Sequence, residues 1–130
     1  MKIDDLNYFA ETRGDLIPIE FDSLPFIPKR VFVVKGCPKG VIRGNHAHYT
    51  TKQYLICIQG EIKVFIYDGK DSKELILKEG QTTLIDVLQW DSQEFRTGND
   101  VLLVMCSTPY SLEDYIFSIR EFLKALKENQ

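Results

Sequence analysis

The 130-residue chain predicts an all-β fold, an antiparallel barrel or sandwich, closed by one C-terminal α-helix. Two observations carry that expectation. Short runs rich in β-branched and aromatic residues recur at near-regular spacing, with glycines between them. Helical spacing of apolar residues appears only at the end of the chain.

The elements follow in order. Asp15 to Glu20 (DLIPIE) reads as an edge strand, because Pro18 cannot donate to a central ladder. Arg30 to Lys35 (RVFVVK) is a strand between Pro28 and Gly36. Gly40 to Tyr49 follows, then Lys52 to Gln59, Gly60, and Glu61 to Tyr67. That last run alternates, with Ile62, Val64 and Ile66 on one face. Phe65 and Tyr67 fall on its otherwise polar face, which suits either a cavity wall or an oligomer interface. Asp68-Gly69 makes a turn. Glu74 to Lys78, Thr82 to Val87, Trp90 to Arg96 and Asn99 to Ser107 complete the strands, punctuated by Gly80 and Gly98. Leu112, Ile116, Ile119, Leu123 and Leu126 predict a helix over 111–127, with Ser111 as its cap. Glu113 and Asp114 suit its positive end, Lys124 and Lys127 its negative end. The chain shows no repeat or linker, so 1–130 reads as a single domain.

Composition narrows the function. The formal charge is -3 and no basic block occurs, which disfavours nucleic acid as a partner. No apolar run is long enough to span a bilayer, and the acidic start lacks the apolar core of a signal peptide, so the expectation is a cytoplasmic protein without a membrane partner. Cys37, Cys57 and Cys106 are odd in number and far apart, which fits reduced thiols. Cys57 and Cys106 lie in apolar runs and read as small core residues.

Both histidines of the chain fall in Arg43-Gly44-Asn45-His46-Ala47-His48. Residues i and i+2 of a strand share a face. Imidazole titrates nearest working pH, so such a pair suits proton transfer or metal binding.

The order Gly40, His46, His48, Gln53, Gly60 resembles the first motif of the cupin superfamily, small barrels with a double-stranded β-helix (jelly-roll) fold. Metal-binding cupins carry a glutamate at the position of Gln53 and a further histidine in a second motif. Here Gly80 to Phe95 contains no histidine, and Asp86 and Asp91 are the candidates to replace the missing carboxylate. Two imidazoles and a neutral amide are a poor cage for a divalent ion, so no metal and no other cofactor is expected.

A longer set of residues resembles one family of cupins. Gly14-Asp15-Leu16-Ile17-Pro18-Ile19-Glu20, Lys29-Arg30-Val31-Phe32, the histidine element, Lys52-Gln53-Tyr54-Leu55-Ile56-Cys57, Trp90, Tyr110 to Ile116 and Phe122-Leu123 are similar, in that order, to the sugar 3,4-ketoisomerases acting on dTDP-4-dehydro-6-deoxy-D-glucose. The resemblance implies a metal-independent isomerase that moves a ketone from C4 to C3, making a precursor of 3-amino sugars for surface glycans. It also implies a homodimer, with 1–36 as the candidate segment for exchange between subunits.

The chemistry of that reaction fits the residues. The C4 ketone acidifies the hydrogen at C3, and its removal gives an enediolate. A neutral histidine serves as base, and a second group relays protons or steadies the oxygen. His46 and His48 are the catalytic candidates, and the sequence leaves open which is the base. Arg43 beside them disfavours imidazolium. Arg43, Arg30 and Lys52 are candidate partners of the diphosphate. Gln53, Trp90 and Tyr54 are further substrate-binding candidates, the aromatic pair as a shelf for thymine. Three other readings stand beside this one: a dTDP-sugar 3,5-epimerase, a non-catalytic nucleotide-sugar-binding module, and a metal-dependent cupin. The configuration of the product at C4 stays open.

Overall fold

A computed structural model describes residues 2–129. Twelve strands occur in the order β1 (Asp4–Asp5), β2 (Phe9–Glu11), β3 (Gly14–Leu16), β4 (Arg30–Lys35), β5 (Ile42–His48), β6 (Gln53–Gln59), β7 (Glu61–Tyr67), β8 (Ser72–Lys78), β9 (Gln81–Ile85), β10 (Trp90–Phe95), β11 (Val101–Cys106) and β12 (Tyr115–Ile116), followed by helix α1 (Ile119–Glu128). They form two five-stranded sheets, β1-β9-β6-β11-β4 and β12-β5-β10-β7-β8, and a separate β2–β3 pair. Every pairing is antiparallel, as the alternating sequence and short glycine turns require.

Alternation decides what lies between the sheets. Ile62, Val64 and Ile66 of β7 point inward and meet Leu55 and Cys57 of β6, Leu102 and Val104 of β11, and Phe95 of β10. Burying one such side chain contributes roughly 1.5–3 kcal/mol. The outer faces are covered too. Leu6, Ile19, Leu24 and Phe26 lie over Tyr54, Ile56 and Met105, so β6 is buried on both faces and reads as one apolar run. Helix α1 lays Phe122 and Ala125 on Ala47, Trp90 and Ile116 of the other sheet. Phe65 and Tyr67 pack against this outer cluster, Tyr67 directly on Phe122, and neither is in the wall that holds His46.

The helix starts later than the periodicity predicts. Leu112–Asp114 is one 3-10 turn, and Tyr115 and Ile116 then pair with His48 and Ala47. Ile116 is fully buried there, so a ladder and a core contact win over helical spacing. The observed cap is Ser118, whose side chain accepts a hydrogen bond from Glu121 N at 3.1 Å. At the other end, only Asp15 and Leu16 of the expected 15–20 strand lie in a ladder, as part of β3, and their partner is β2.

Candidate active site

A cavity of about 540 Å³ lies between β4, β6 and β11 of one sheet and β5 and β10 of the other. Its wall combines Arg30, Arg43, His46, Gln53, Gln93 and Tyr115 with apolar side chains such as Phe32 and Leu55.

A bulge sets the side chains of β5. Asp91 pairs with His46, but Ser92 pairs with Gly44, so Asn45 is an extra residue in the ladder. Gly44 and Asn45 both hold positive φ, 92° and 61°. Gly44 also lies close to β10: a Cβ there would stand 3.1 Å from Asp91 O. The inserted residue breaks the period of two. Arg43 and His46, an odd and an even position, therefore line the same cavity.

His46 and His48 do share a face, with ring centroids 5.0 Å apart. Their surroundings differ. His46 reaches the cavity and lies edge-on to Tyr115 at 5.2 Å. His48 is buried beneath the Tyr115 ring, 4.3 Å between centroids. Its Nδ1 lies 3.1 Å from Asp114 Oδ2. Asp114 also accepts from Thr50 N at 2.8 Å, Thr50 Oγ1 at 2.7 Å, Thr51 N at 3.2 Å, and the Thr51 hydroxyl. Burial alone would raise its carboxyl, but those donors outweigh burial and hold it below the usual carboxylate range.

Both imidazoles are held neutral. Burial, with help from His48, lowers His46 to about 4. Burial also lowers His48, against the opposing pull of Asp114. Asp91 is fully buried, and burial pushes its carboxyl up to about 7. Gln93 Nε2 donates to Asp91 Oδ2.

Arg30 of β4 projects into the cavity between two aromatic faces, 4.7 Å from the Phe32 centroid and 4.8 Å from that of Tyr110. Its Nη1 lies 3.4 Å from Tyr115 Oη. Gln53 lines the cavity and donates to Cys106 Sγ at 3.6 Å.

Three expected ligand-binding residues are not in this wall. Trp90 is on the outer face of β10, where its ring meets Phe122 at 5.9 Å, so helix packing uses it. Tyr54 is on the outer face of β6 under the N-terminal segment, its hydroxyl 2.7 Å from Thr82 Oγ1. Lys52 precedes β6 at the surface, and its exposed side chain is not in the wall. The period of two explains all three: inward Gln53 puts Lys52 and Tyr54 outward, and inward Asp91 puts Trp90 outward. Three residues escaped the sequence reading as site residues, Gln93, Asp114 and Tyr115, and Asp91 was read there only as a carboxylate for a metal. Asp114 and Tyr115 stand beside Ile116 in a stretch that the family resemblance includes, which was the available signal. Among the described residues, no three His, Cys, Asp or Glu side chains are grouped to hold a metal ion.

The family model FdtA (WxcM-like, C-terminal) matches residues 1–127. A TDP-4-oxo-6-deoxy-alpha-D-glucose-3,4-oxoisomerase of Aneurinibacillus thermoaerophilus is 29% identical over 125 residues, covering 95% of this chain and 90% of that one. QdtA, a sugar 3,4-ketoisomerase of Thermoanaerobacterium thermosaccharolyticum solved with TDP, superposes with a TM-score of 0.90 at 29% identity over 98% of this chain and 95% of that one. The WlaRB TDP-quinovose 3,4-ketoisomerase of Campylobacter jejuni gives 0.85 at 30% identity, over 95% and 96% of the two chains.

Proposed function

The chain belongs to the FdtA (WxcM-like, C-terminal) family, and from that premise we propose that it is a nucleotide-sugar 3,4-ketoisomerase acting on TDP-4-keto-6-deoxyglucose. One observation carries the reading: a neutral imidazole, His46, faces a cavity whose wall also holds two guanidinium groups, Arg30 and Arg43.

The steps balance on these groups. Nε2 of His46 takes the hydrogen from C3; the C–H bond breaks, an N–H bond forms, and the electron pair becomes the C3–C4 double bond of an enediolate. The hydroxyl proton on O3 passes to O4. The imidazolium then returns its proton to C4, which leaves a ketone at C3 and a hydroxyl at C4. General-base action of this kind contributes about 10²- to 10⁴-fold. The guanidiniums of Arg30 and Arg43 attract the diphosphate and the enediolate charge. Tyr115, beside both imidazoles, orients them and bonds Arg30. His48, tied to Asp114, supports His46 and relays protons instead of meeting C3 itself.

We read the chain further as a cytoplasmic homodimer that exchanges its N-terminal segment. The β2–β3 pair exposes Phe9 and Leu16, and β4, at the edge of its sheet, exposes Val31 and Val33. The three cysteines are free thiols, which suits a reducing compartment. No described helix is long and apolar enough to cross a membrane.

The test is proton NMR of TDP-4-keto-6-deoxyglucose incubated with the protein in deuterated buffer. Formation of a 3-keto sugar is the expected result, and the coupling at C4 reads its configuration. Deuterium uptake at C5 without a 3-keto product would instead identify an epimerase.

A further inference from the structure

Asp91 is a buried carboxyl with an unmet need. Its Oδ1 and the Nδ1 of His46 are both buried without a hydrogen-bond partner, and they face one another at 3.8 Å. Leaving either group unpaired costs on the order of 1–3 kcal/mol. Catalytic contacts are often long before substrate binds and tighten in the reacting complex. Both residues are held for this meeting. They are opposite one another in the β5–β10 ladder, next to the bulge. Gln93 Nε2 anchors the other carboxyl oxygen, which leaves Oδ1 turned toward the ring.

We propose that Asp91 is the positioning residue for His46: it accepts the Nδ1 hydrogen, turns a bare Nε2 toward the cavity, and shares the proton that Nε2 takes from substrate. The proposal rests on His46 being the base.

The electrostatics fit. An imidazole with a pKa of about 4 is a weak base for a carbon acid. The His46–Asp91 pair instead takes up its first proton near the Asp91 value of about 7. That proton is stored either as imidazolium beside carboxylate or as imidazole beside carboxylic acid. The other titratable or charged groups around the pair are His48 with Asp114, Tyr115 on β12, and Arg30 and Arg43 in the cavity wall. On the far side of β10, β7 sets apolar Ile66 opposite Asp91.

The experiment is the pH dependence of kcat/KM for ketoisomerisation by wild type and Asp91→Asn, joined to ¹⁵N NMR of the wild-type histidines with TDP bound. The expected wild-type profile loses activity below an apparent pKa near 7. Asp91→Asn is expected to lower kcat on the order of 100-fold, move that acid limb toward 4, and leave TDP affinity unchanged. A variant with the wild-type rate and limb overturns the proposal. The NMR arm stands even if the variant does not fold: above pH 7 the His46 hydrogen belongs on Nδ1, and a neutral ring protonated on Nε2 overturns the proposal. Failure of the underlying reading looks different, since His46→Asn would then remain active.

Discussion

His48 Nδ1 and Asp114 Oδ2 stand 3.1 Å apart across a separation of 66 residues in the chain. The contact ties β5 to the turn before β12, because the same carboxylate takes the Thr50 and Thr51 donors. Being ionised, Asp114 accepts only, so the neutral His48 ring carries its hydrogen on Nδ1 and leaves Nε2 bare. Asp114→Ala strands these donors at a half-buried site. It is expected to lower stability by about 3 kcal/mol in urea titration, and a loss under about 1 kcal/mol would mean the network is replaceable by water.

The two histidines are expected to fail differently. His46→Asn removes the group that faces the cavity and should lower kcat by about 10²- to 10⁴-fold with TDP affinity kept. His48→Asn should cost less in kcat, because its ring is buried behind Tyr115. Steady-state kinetics on the two variants, with TDP titration, checks the order; the reverse order would make His48 the base.

Stability should depend on pH with two opposed slopes. His46 is lowered to about 4 by burial, so its penalty is absent above about 6.5 and grows as pH falls toward 4. Asp91 is raised to about 7, so its penalty is absent below about 3.9 and grows as pH rises to 7. The slopes offset one another between about pH 4 and 6.5. Asp91→Asn should therefore gain stability with rising pH across that window, and His46→Asn should lose it. Each slope approaches about 1.4 kcal/mol per pH unit at most, and thermal unfolding in a pH series reads it.

The bulge is open to a direct comparison. Gly44→Ala puts a Cβ at positive φ and 3.1 Å from Asp91 O. Gly36→Ala has a similar φ, +75°, but meets nothing within 4 Å. Both should lose roughly 1–2 kcal/mol from backbone strain. Only Gly44→Ala should also lower kcat/KM, because it moves Arg43 and His46 apart. Equal activity in the two variants would show that the bulge does not set the site.

Trp90 offers a check on the outer face. Trp90→Phe should leave TDP affinity unchanged while lowering the melting temperature. Phe122→Ala, which empties a fully buried position under the same ring, should lose about 3–5 kcal/mol. Weakened TDP binding by Trp90→Phe would return the indole to the ligand site.

The architecture and most strand positions were legible in the chain, because alternation such as Ile62, Val64 and Ile66 needs no distant partner to be read. The sequence also singled out His46, His48, Arg43, Arg30 and Gln53, all of which lie on inner faces at or next to one cavity. Tertiary structure decided the rest. Asn45 inserts into a ladder whose partner is more than forty residues away, so no local spacing could bring Arg43 to the face of His46. The C-terminal turn abandons helix because Tyr115 and Ile116 find β5, and that pairing delivers Asp114 to His48. Trp90 and Tyr54 have the chemistry of a base-stacking shelf, yet the pleat turns both outward under covering segments. The distinction between the two histidines is tertiary as well. Local sequence makes them equal, and only the carboxylates and aromatic rings from other strands expose one and bury the other.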